Sequence, residues 1–122
     1  MDVERADFVS LPVRDLDGTT GFYEETLGLR KSPASRAWPD FELGNVSLYL
    51  VEPARMGVES WQPHRAHIAL RVPDVAAARA ELEAKGVVFE GAHDTGVCQM
   101  AFFRDPEGNA LMLHHRYAPP DE

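Results

Sequence analysis

The sequence predicts an α+β fold made of two strand–helix–three-strand (βαβββ) modules, with curved mixed sheets around a cavity and the helices outside. Residues 67–86 have the pattern of a strand followed by a helix, and a similar succession begins at Phe8. Both copies also place a Gly-Asn pair before an apolar strand, at Gly44 and at Gly108. A succession of elements that occurs twice in one chain indicates an internal repeat. We therefore expect two copies of one module within a single domain.

The repeat divides the chain into two modules, at about residues 7–52 and 66–117, with a linker at 53–65. The linker contains Met56 and Trp61, which a purely solvated connection would not need. We therefore expect the linker to cover part of a pocket.

Length and composition limit the classes of function. A chain of 122 residues is long enough to bury one core, and its contents of 44% hydrophobic and 26% charged residues are ordinary for a globular protein. The net charge of −8 argues against nucleic acid and anionic membrane as partners. No apolar run approaches the length of a membrane span. The single cysteine, Cys98, excludes an internal disulfide and favours a cytoplasmic location, and we expect it to be a buried, inert thiol.

Both helices have recognisable ends. In the second module Asp74 is a candidate N-cap, Val75 and Leu82 fall on one helical face, and Gly86 ends the helix. The corresponding helix of the first module is predicted at about residues 16–27.

Alternation of apolar residues predicts which face of each strand is buried. In the strand at 8–14, Leu11 and Val13 face the following helix, so Phe8 and Ser10 face the opposite side. The same alternation places three further side chains on the sides opposite the helices: Tyr49 in the strand at 46–52, and Met112 and His114 in the strand at 110–116.

The remaining strands have weaker signals. Short strands are predicted at 30–36 and 38–43, and another at 87–90, followed by a polar loop at 91–96. In the strand predicted at 97–104, apolar residues occur on both sides of the alternation. The sequence therefore does not indicate which side chains of this strand face the helix. A strong turn follows at Asp105-Pro106-Glu107-Gly108-Asn109, in which Asp105 and Asn109 are expected to have structural roles.

Three segments resemble a known family signature. They are Val-Ser-Leu-Pro-Val-Arg-Asp-Leu-Asp at 9–17, His-Ile-Ala-Leu at 67–70, and Phe-Arg-Asp-Pro-Glu-Gly-Asn at 103–109. The chain resembles the vicinal oxygen chelate superfamily, which includes glyoxalase I, extradiol dioxygenases, fosfomycin-resistance enzymes and bleomycin-binding proteins. The resemblance is specific for the fold and says little about the reaction, because one fold supports many chemistries.

The resemblance also implies where a metal would be bound. The metal-ligand positions of the family fall on Phe8, Tyr49, His67 and Met112, and the family has Glu where this chain has Met112. Divalent cations need several converging nitrogen or oxygen donors, whereas Phe offers none and Met offers only a soft thioether. We therefore expect neither a metal nor another cofactor.

The leading hypothesis is a metal-free protein that binds a flat apolar or cationic organic molecule. The candidate binding residues are Phe8, Ser10, Tyr49, His67, Met112 and His114. Tyr49 either fills the space of a lost metal or stacks on the ligand. His67 is either an inert, hydrogen-bonded histidine or a group that donates to the ligand or exchanges protons.

Two enzymatic alternatives remain open. One is a metal-dependent lyase, isomerase or dioxygenase with His67 and His114 as unorthodox ligands. The other is a metal-free enzyme with His67 as its acid–base catalyst.

A homodimer is also expected. In the family that the chain resembles, short chains complete their cavities by pairing modules across a two-fold axis. Met56, Val58 and Trp61 offer apolar surface for such an interface.

Overall fold

The computed structural model describes residues 1–33 and 37–119, which divide into two compact units, Met1–His64 and Arg65–Glu122. In each unit a helix packs on one face of a four-stranded mixed sheet. The sheets have the equivalent orders β1-β4-β3-β2 and β5-β8-β7-β6. This arrangement confirms the predicted α+β fold with two βαβββ modules.

The first unit has one parallel strand pair and two antiparallel pairs. Its strands are β1 (Phe8–Pro12), β2 (Arg30–Lys31), β3 (Asp40–Glu42) and β4 (Ser47–Val51), and its helix is α1 (Leu16–Gly21). A π-helical turn, Phe22–Thr26, continues α1, and a 3₁₀ turn, Pro53–Met56, follows β4. The predicted strands at 30–36 and 38–43 are thus shorter than expected, and positions 34–36 lie outside the described residues.

The ends of the first helix are determined by local chemistry. The Asp15 carboxylate accepts a hydrogen bond of 3.1 Å from the Gly18 backbone N–H, which caps the N-terminus. Gly28 follows the helix with φ of 70°, a value that favours glycine. The extent predicted at 16–27 is therefore correct, but its last turn is π-helical, because the Leu27 N–H donates to the Phe22 carbonyl.

The core of the first unit lies between its helix and its sheet. It consists of fully buried side chains from both elements: Leu11, Val13, Tyr23, Phe41, Leu48 and Leu50. The ring of Tyr23 in the helix lies 5.8 Å from the ring of Phe41 in β3. The predicted facings of β1 and β4 are confirmed.

The second unit repeats this pattern with longer strands. Its elements are β5 (Ile68–Arg71), α2 (Val75–Ala84), β6 (Gly91–Asp94), β7 (Cys98–Arg104) and β8 (Ala110–Arg116). The Asp74 carboxylate caps α2 by accepting from the Ala77 N–H at 3.0 Å, and Val75 and Leu82 are buried. Gly86 follows the helix with φ of 95°. These features of the helix are as predicted.

The prediction for residues 87–96 is wrong in its assignment of strand and loop. The strand is β6, inside the predicted loop, and it pairs with β7 so that Ala92 lies opposite Ala101. The segment before β6 is not a strand; its Phe89 packs on Phe103 with ring centroids 5.1 Å apart. β6 is an edge strand, so it pairs with a neighbouring strand on one side only. Its side chains are mostly exposed, and the sequence therefore shows no alternation of apolar residues there.

The register of β7 against β8 settles the facing that the sequence leaves open. Phe103 lies opposite Leu111 on the side of α2, whereas Phe102 lies opposite Met112 on the other side. Cys98 is buried, as predicted. Across positions 1–33 and 37–119, the helices are too short or too polar to cross a bilayer.

Candidate functional site

The side of the first sheet opposite α1, called the first face, contains half of the predicted binding residues. Its side chains alternate with the buried core residues of β1, β3 and β4: Phe8, Ser10, Asp40, Ser47 and Tyr49. Tyr49 lies opposite Ser10 on one neighbouring strand and opposite Asp40 on the other. Residues directly opposite one another on neighbouring strands have side chains on the same face and within contact distance.

Phe8 and Tyr49 form an aromatic pair on the first face. Their ring centroids are 4.5 Å apart with an interplanar angle of 31°. Phe8 is nevertheless 52% exposed, so the pair is accessible to a ligand. A pair of rings that is partly exposed offers an apolar surface on which a planar molecule can stack.

Asp40 is a residue of the first face that sequence reasoning missed. Its Oδ1 atom is buried and has no hydrogen-bond partner among residues 1–33 and 37–119. The sequence signal was present, since Asp40 alternates with the apolar Phe41 in a short strand, but the register that places Asp40 beside Tyr49 is tertiary.

The side of the second sheet opposite α2, called the second face, contains the other predicted residues. The ring of His67, which immediately precedes β5, lies 4.9 Å from the ring of Phe102, and Phe102 lies opposite Met112. Met112 in turn lies opposite Ala69 of β5. His67, Phe102 and Met112 therefore form a second aromatic and thioether surface, of which the sequence did not predict Phe102.

His114 lies on the second face but away from His67. The register places His114 opposite Arg71, four residues beyond the level of His67. At a rise of about 3.3 Å per residue, the two histidines are separated by roughly 13 Å along the sheet. Zinc–nitrogen bonds are about 2 Å long, so this separation does not suit two ligands of one ion.

The residues at the family's metal-ligand positions do not fit a divalent cation. Phe8 has no donor atom, the Tyr49 ring is packed against it, and Met112 offers only sulfur. Within the described part of the chain, no group of three or more His, Cys, Asp or Glu side chains could hold a metal ion.

Two residues of the linker stack with residues of the first module, and each contact joins an arginine to a tryptophan. The Arg14 guanidinium lies 3.9 Å from the Trp61 ring centroid, and the Arg55 guanidinium lies 4.2 Å from that of Trp38. Trp61 is therefore half-buried rather than freely exposed, whereas Met56 remains exposed.

Perturbed titratable groups occur at the end of the second sheet. The Asp94 carboxylate accepts hydrogen bonds from the Gly96 backbone N–H and the Tyr117 hydroxyl, at 2.8 Å each, and its pKa is lowered. The same hydrogen bond raises the pKa of Tyr117, because ionisation would remove the donated proton. This pair joins the turn after β6 to the end of β8.

Two surface depressions are lined by residues other than the paired rings of the two faces. One of about 340 Å³ lies beside the turn between β3 and β4, lined by residues such as Asp7 and Asn45. Another of about 360 Å³ lies between α2 and β6, lined by residues such as Arg79 and Ala92. Neither contains Phe8 or His67.

Two units, each with a helix on one face of a four-stranded mixed sheet, are the repeated βαβββ fold of one protein superfamily. Residues 5–113 match the profile of the Glyoxalase/Bleomycin resistance protein/Dioxygenase superfamily. The chain belongs to this family.

Solved structures with this fold include proteins with different roles. One is TnmS3, an antibiotic binding protein from Streptomyces sp. CB03234, which is 28% identical; the alignment covers 95% of this chain and 98% of that chain, with a TM-score of 0.78. Another is a glyoxalase/bleomycin resistance protein from the same Streptomyces strain, at 29% identity, with coverages of 92% and 100% and a TM-score of 0.74.

A solved structure that is described as an enzyme also has a similar fold. Lactoylglutathione lyase from Agrobacterium tumefaciens is 22% identical over 93% of this chain and 94% of its own, with a TM-score of 0.74. That likeness concerns the fold alone. No curated protein matches the sequence.

Proposed function

We propose that this chain is a metal-free binding protein that holds a flat, largely apolar organic molecule without converting it. The observation that supports this proposal most directly is the pairing of Phe8 with Tyr49 at two positions where the family places metal ligands. Rings at these positions favour stacking and dispersion, and they cannot stabilise charge as a metal would.

The second face supports the same chemistry. His67 and Phe102 pack ring against ring, and Met112 adds a polarisable thioether beside them. Small-molecule sites combine an apolar lining with a few polar groups that orient the ligand. On the first face Ser10 is such a polar group, and on the second face His67 and His114 are.

The relatives provide a precedent for binding without a stated reaction. TnmS3 is described as an antibiotic binding protein and is 28% identical to this chain. The net charge of −8 would attract a cationic ligand and disfavour phosphorylated or carboxylated ones, although salt screens this effect.

A binding screen of planar aromatic compounds, followed by calorimetry on those that bind, tests the proposal. Tyr49→Ala should weaken binding by about 1–2 kcal/mol, because the stacked ring is lost. Tyr117→Ala removes an exposed aromatic outside the proposed site and is the matched control. It should leave the affinity unchanged.

Two results would favour the enzymatic alternatives over the proposed function. One is a ligand recovered chemically altered, with the rate abolished by His67→Ala. The other is about one metal ion per chain, in protein purified without a metal-affinity tag, that is lost in the same variant.

A further inference from the structure

We propose that Asp40 determines the specificity of the first face, by binding a cationic hydrogen-bond donor on the ligand, such as a ring-linked ammonium or amidinium group. This inference rests on the proposed function, because it adds a charged contact to the stacking surface of Phe8 and Tyr49. It names the ligand class as planar aromatic cations.

The strand register brings Asp40 to the stacking surface. Ser10, Tyr49 and Asp40 lie opposite one another in a row across β1, β4 and β3. Directly opposite residues have Cβ atoms about 4.5–5.5 Å apart. A planar molecule resting on Tyr49 therefore has a hydroxyl on one side and a carboxylate on the other.

The Asp40 carboxylate has an unfilled acceptor. Its Oδ1 atom is buried, and no donor within the described ranges lies at hydrogen-bond distance. Its backbone is held in place, since the Asp40 carbonyl accepts from the Ser32 N–H at 2.7 Å. Burying a carboxylate oxygen without a hydrogen-bond donor is unfavourable in free energy. A ligand that donates a hydrogen bond to this oxygen would therefore offset the desolvation of the carboxylate in the free protein.

In the part of the chain that the structure describes, the other buried polar atoms without hydrogen-bond partners lie in different surroundings. Thr19 Oγ1 belongs to α1 in the core, and His115 Nδ1 belongs to the α2 side of β8. Trp61 Nε1 lies in the linker, under the Arg14 guanidinium. Only Asp40 among these four combines a negative charge with a position beside the exposed aromatic pair.

Two arginines of the first unit already have acidic neighbours. Arg55 already pairs with Glu52 at 3.4 Å and stacks on Trp38. Arg30 lies opposite Glu42. Glu42 is two residues from Asp40 in β3 and lies on the same face. An aromatic surface beside a carboxylate suits an aromatic cation, because the rings attract the charge and the carboxylate accepts its N–H.

A pair of planar probes of similar shape tests the inference at neutral pH. Proflavine is cationic under these conditions, whereas acridine is uncharged. The wild-type protein should bind proflavine more tightly than acridine. Asp40→Asn should lower the proflavine affinity roughly tenfold to a hundredfold, since a hydrogen bond to a charged group is lost, and should leave the acridine affinity nearly unchanged.

Glu42→Gln is the matched control, because it removes one negative charge from an exposed residue of the same strand and face. It should change proflavine binding far less than Asp40→Asn does. Circular dichroism and thermal unfolding check that each variant folds. If Asp40→Asn fails to fold, Asp40→Ser is measured in its place.

The outcomes separate this inference from the proposed function. The role of Asp40 is overturned if the wild-type protein does not bind proflavine more tightly than acridine. It is also overturned if Asp40→Asn and Glu42→Gln lower the proflavine affinity equally. In either case, stacking on Tyr49 is still supported when Tyr49→Ala weakens acridine binding. If Tyr49→Ala leaves the binding of both probes unchanged, the proposed function and this inference both fail.

Discussion

Single residues give the two faces their chemical character. Phe8 and Tyr49 are paired rings at positions where the family resemblance implies metal ligands. Beside them, Asp40 Oδ1 has no hydrogen-bond partner among residues 1–33 and 37–119. On the second face, one histidine lies against Phe102. The chemistry of both faces is therefore that of stacking and directional hydrogen bonds.

One residue of the turn between β7 and β8 is expected to be important for stability. Asp105 is buried, and its carboxylate accepts from the backbone N–H groups of Glu107 and Asn109 and from Asn109 Nδ2, at 2.9 Å each. Asn109→Ala removes the side-chain donor, so we expect it to lower the free energy of unfolding by about 1–3 kcal/mol. Urea denaturation measures the change.

The repeat supplies the control for this prediction. Asn45 occupies the equivalent Gly-Asn position of the first module but is exposed. Asn45→Ala should therefore have little effect on the free energy of unfolding. An equal loss in both variants would show that burial of the Asp105–Asn109 pair is not the cause.

At the scale of elements, both helices begin at an aspartate N-cap that follows the first strand of the module. Asp74 accepts from the Ala77 N–H at 3.0 Å, and Asp15 accepts from the Gly18 N–H at 3.1 Å. This chemistry is local in sequence, which explains why the helix starts were predicted while β6 was not.

Removing the N-cap of α2 should destabilise the protein by about 1 kcal/mol, because one backbone N–H loses its acceptor. Asp74→Ala is the test, measured by urea denaturation. Asp74→Asn keeps an acceptor and should cost less. Glu81→Ala loses only an exposed ion pair with Lys85, at 3.9 Å, and serves as the surface control. A loss as large for Glu81→Ala as for Asp74→Ala would contradict the capping role.

At the scale of the whole molecule, we expect a homodimer, as the family resemblance implies. Met56 and Val58 expose 65% and 49% of their surfaces and lie two positions apart, so they offer apolar area for such an interface. Replacing both with Lys should shift the mass measured by light scattering to that of a monomer.

Val88→Lys is the control for the dimer, since Val88 is 80% exposed but lies in the other unit. It should leave the mass unchanged. A monomeric mass for the wild-type chain at high micromolar concentration would contradict the prediction. Dissociation by Val88→Lys alone would place the interface elsewhere.

The repeat, the helix starts and the faces of the strongly alternating strands follow from the amino-acid sequence alone. Leu11 and Leu48 are buried, while Phe8 and Tyr49 lie on the first face, as alternation predicted. The turn residue Asp105 was also recognised. These features depend on neighbours a few positions apart, so one segment contains the information that specifies them.

The position of β6, the facing of Phe102 and the place of Asp40 beside Tyr49 depend on the tertiary structure. β6 exists because β7 supplies its backbone partners, and Phe102 faces away from α2 because of its register with Met112. Asp40 lies beside Tyr49 for the same reason. Register joins residues that are distant in sequence, and alternation within one strand contains no information about which residue of another strand lies opposite.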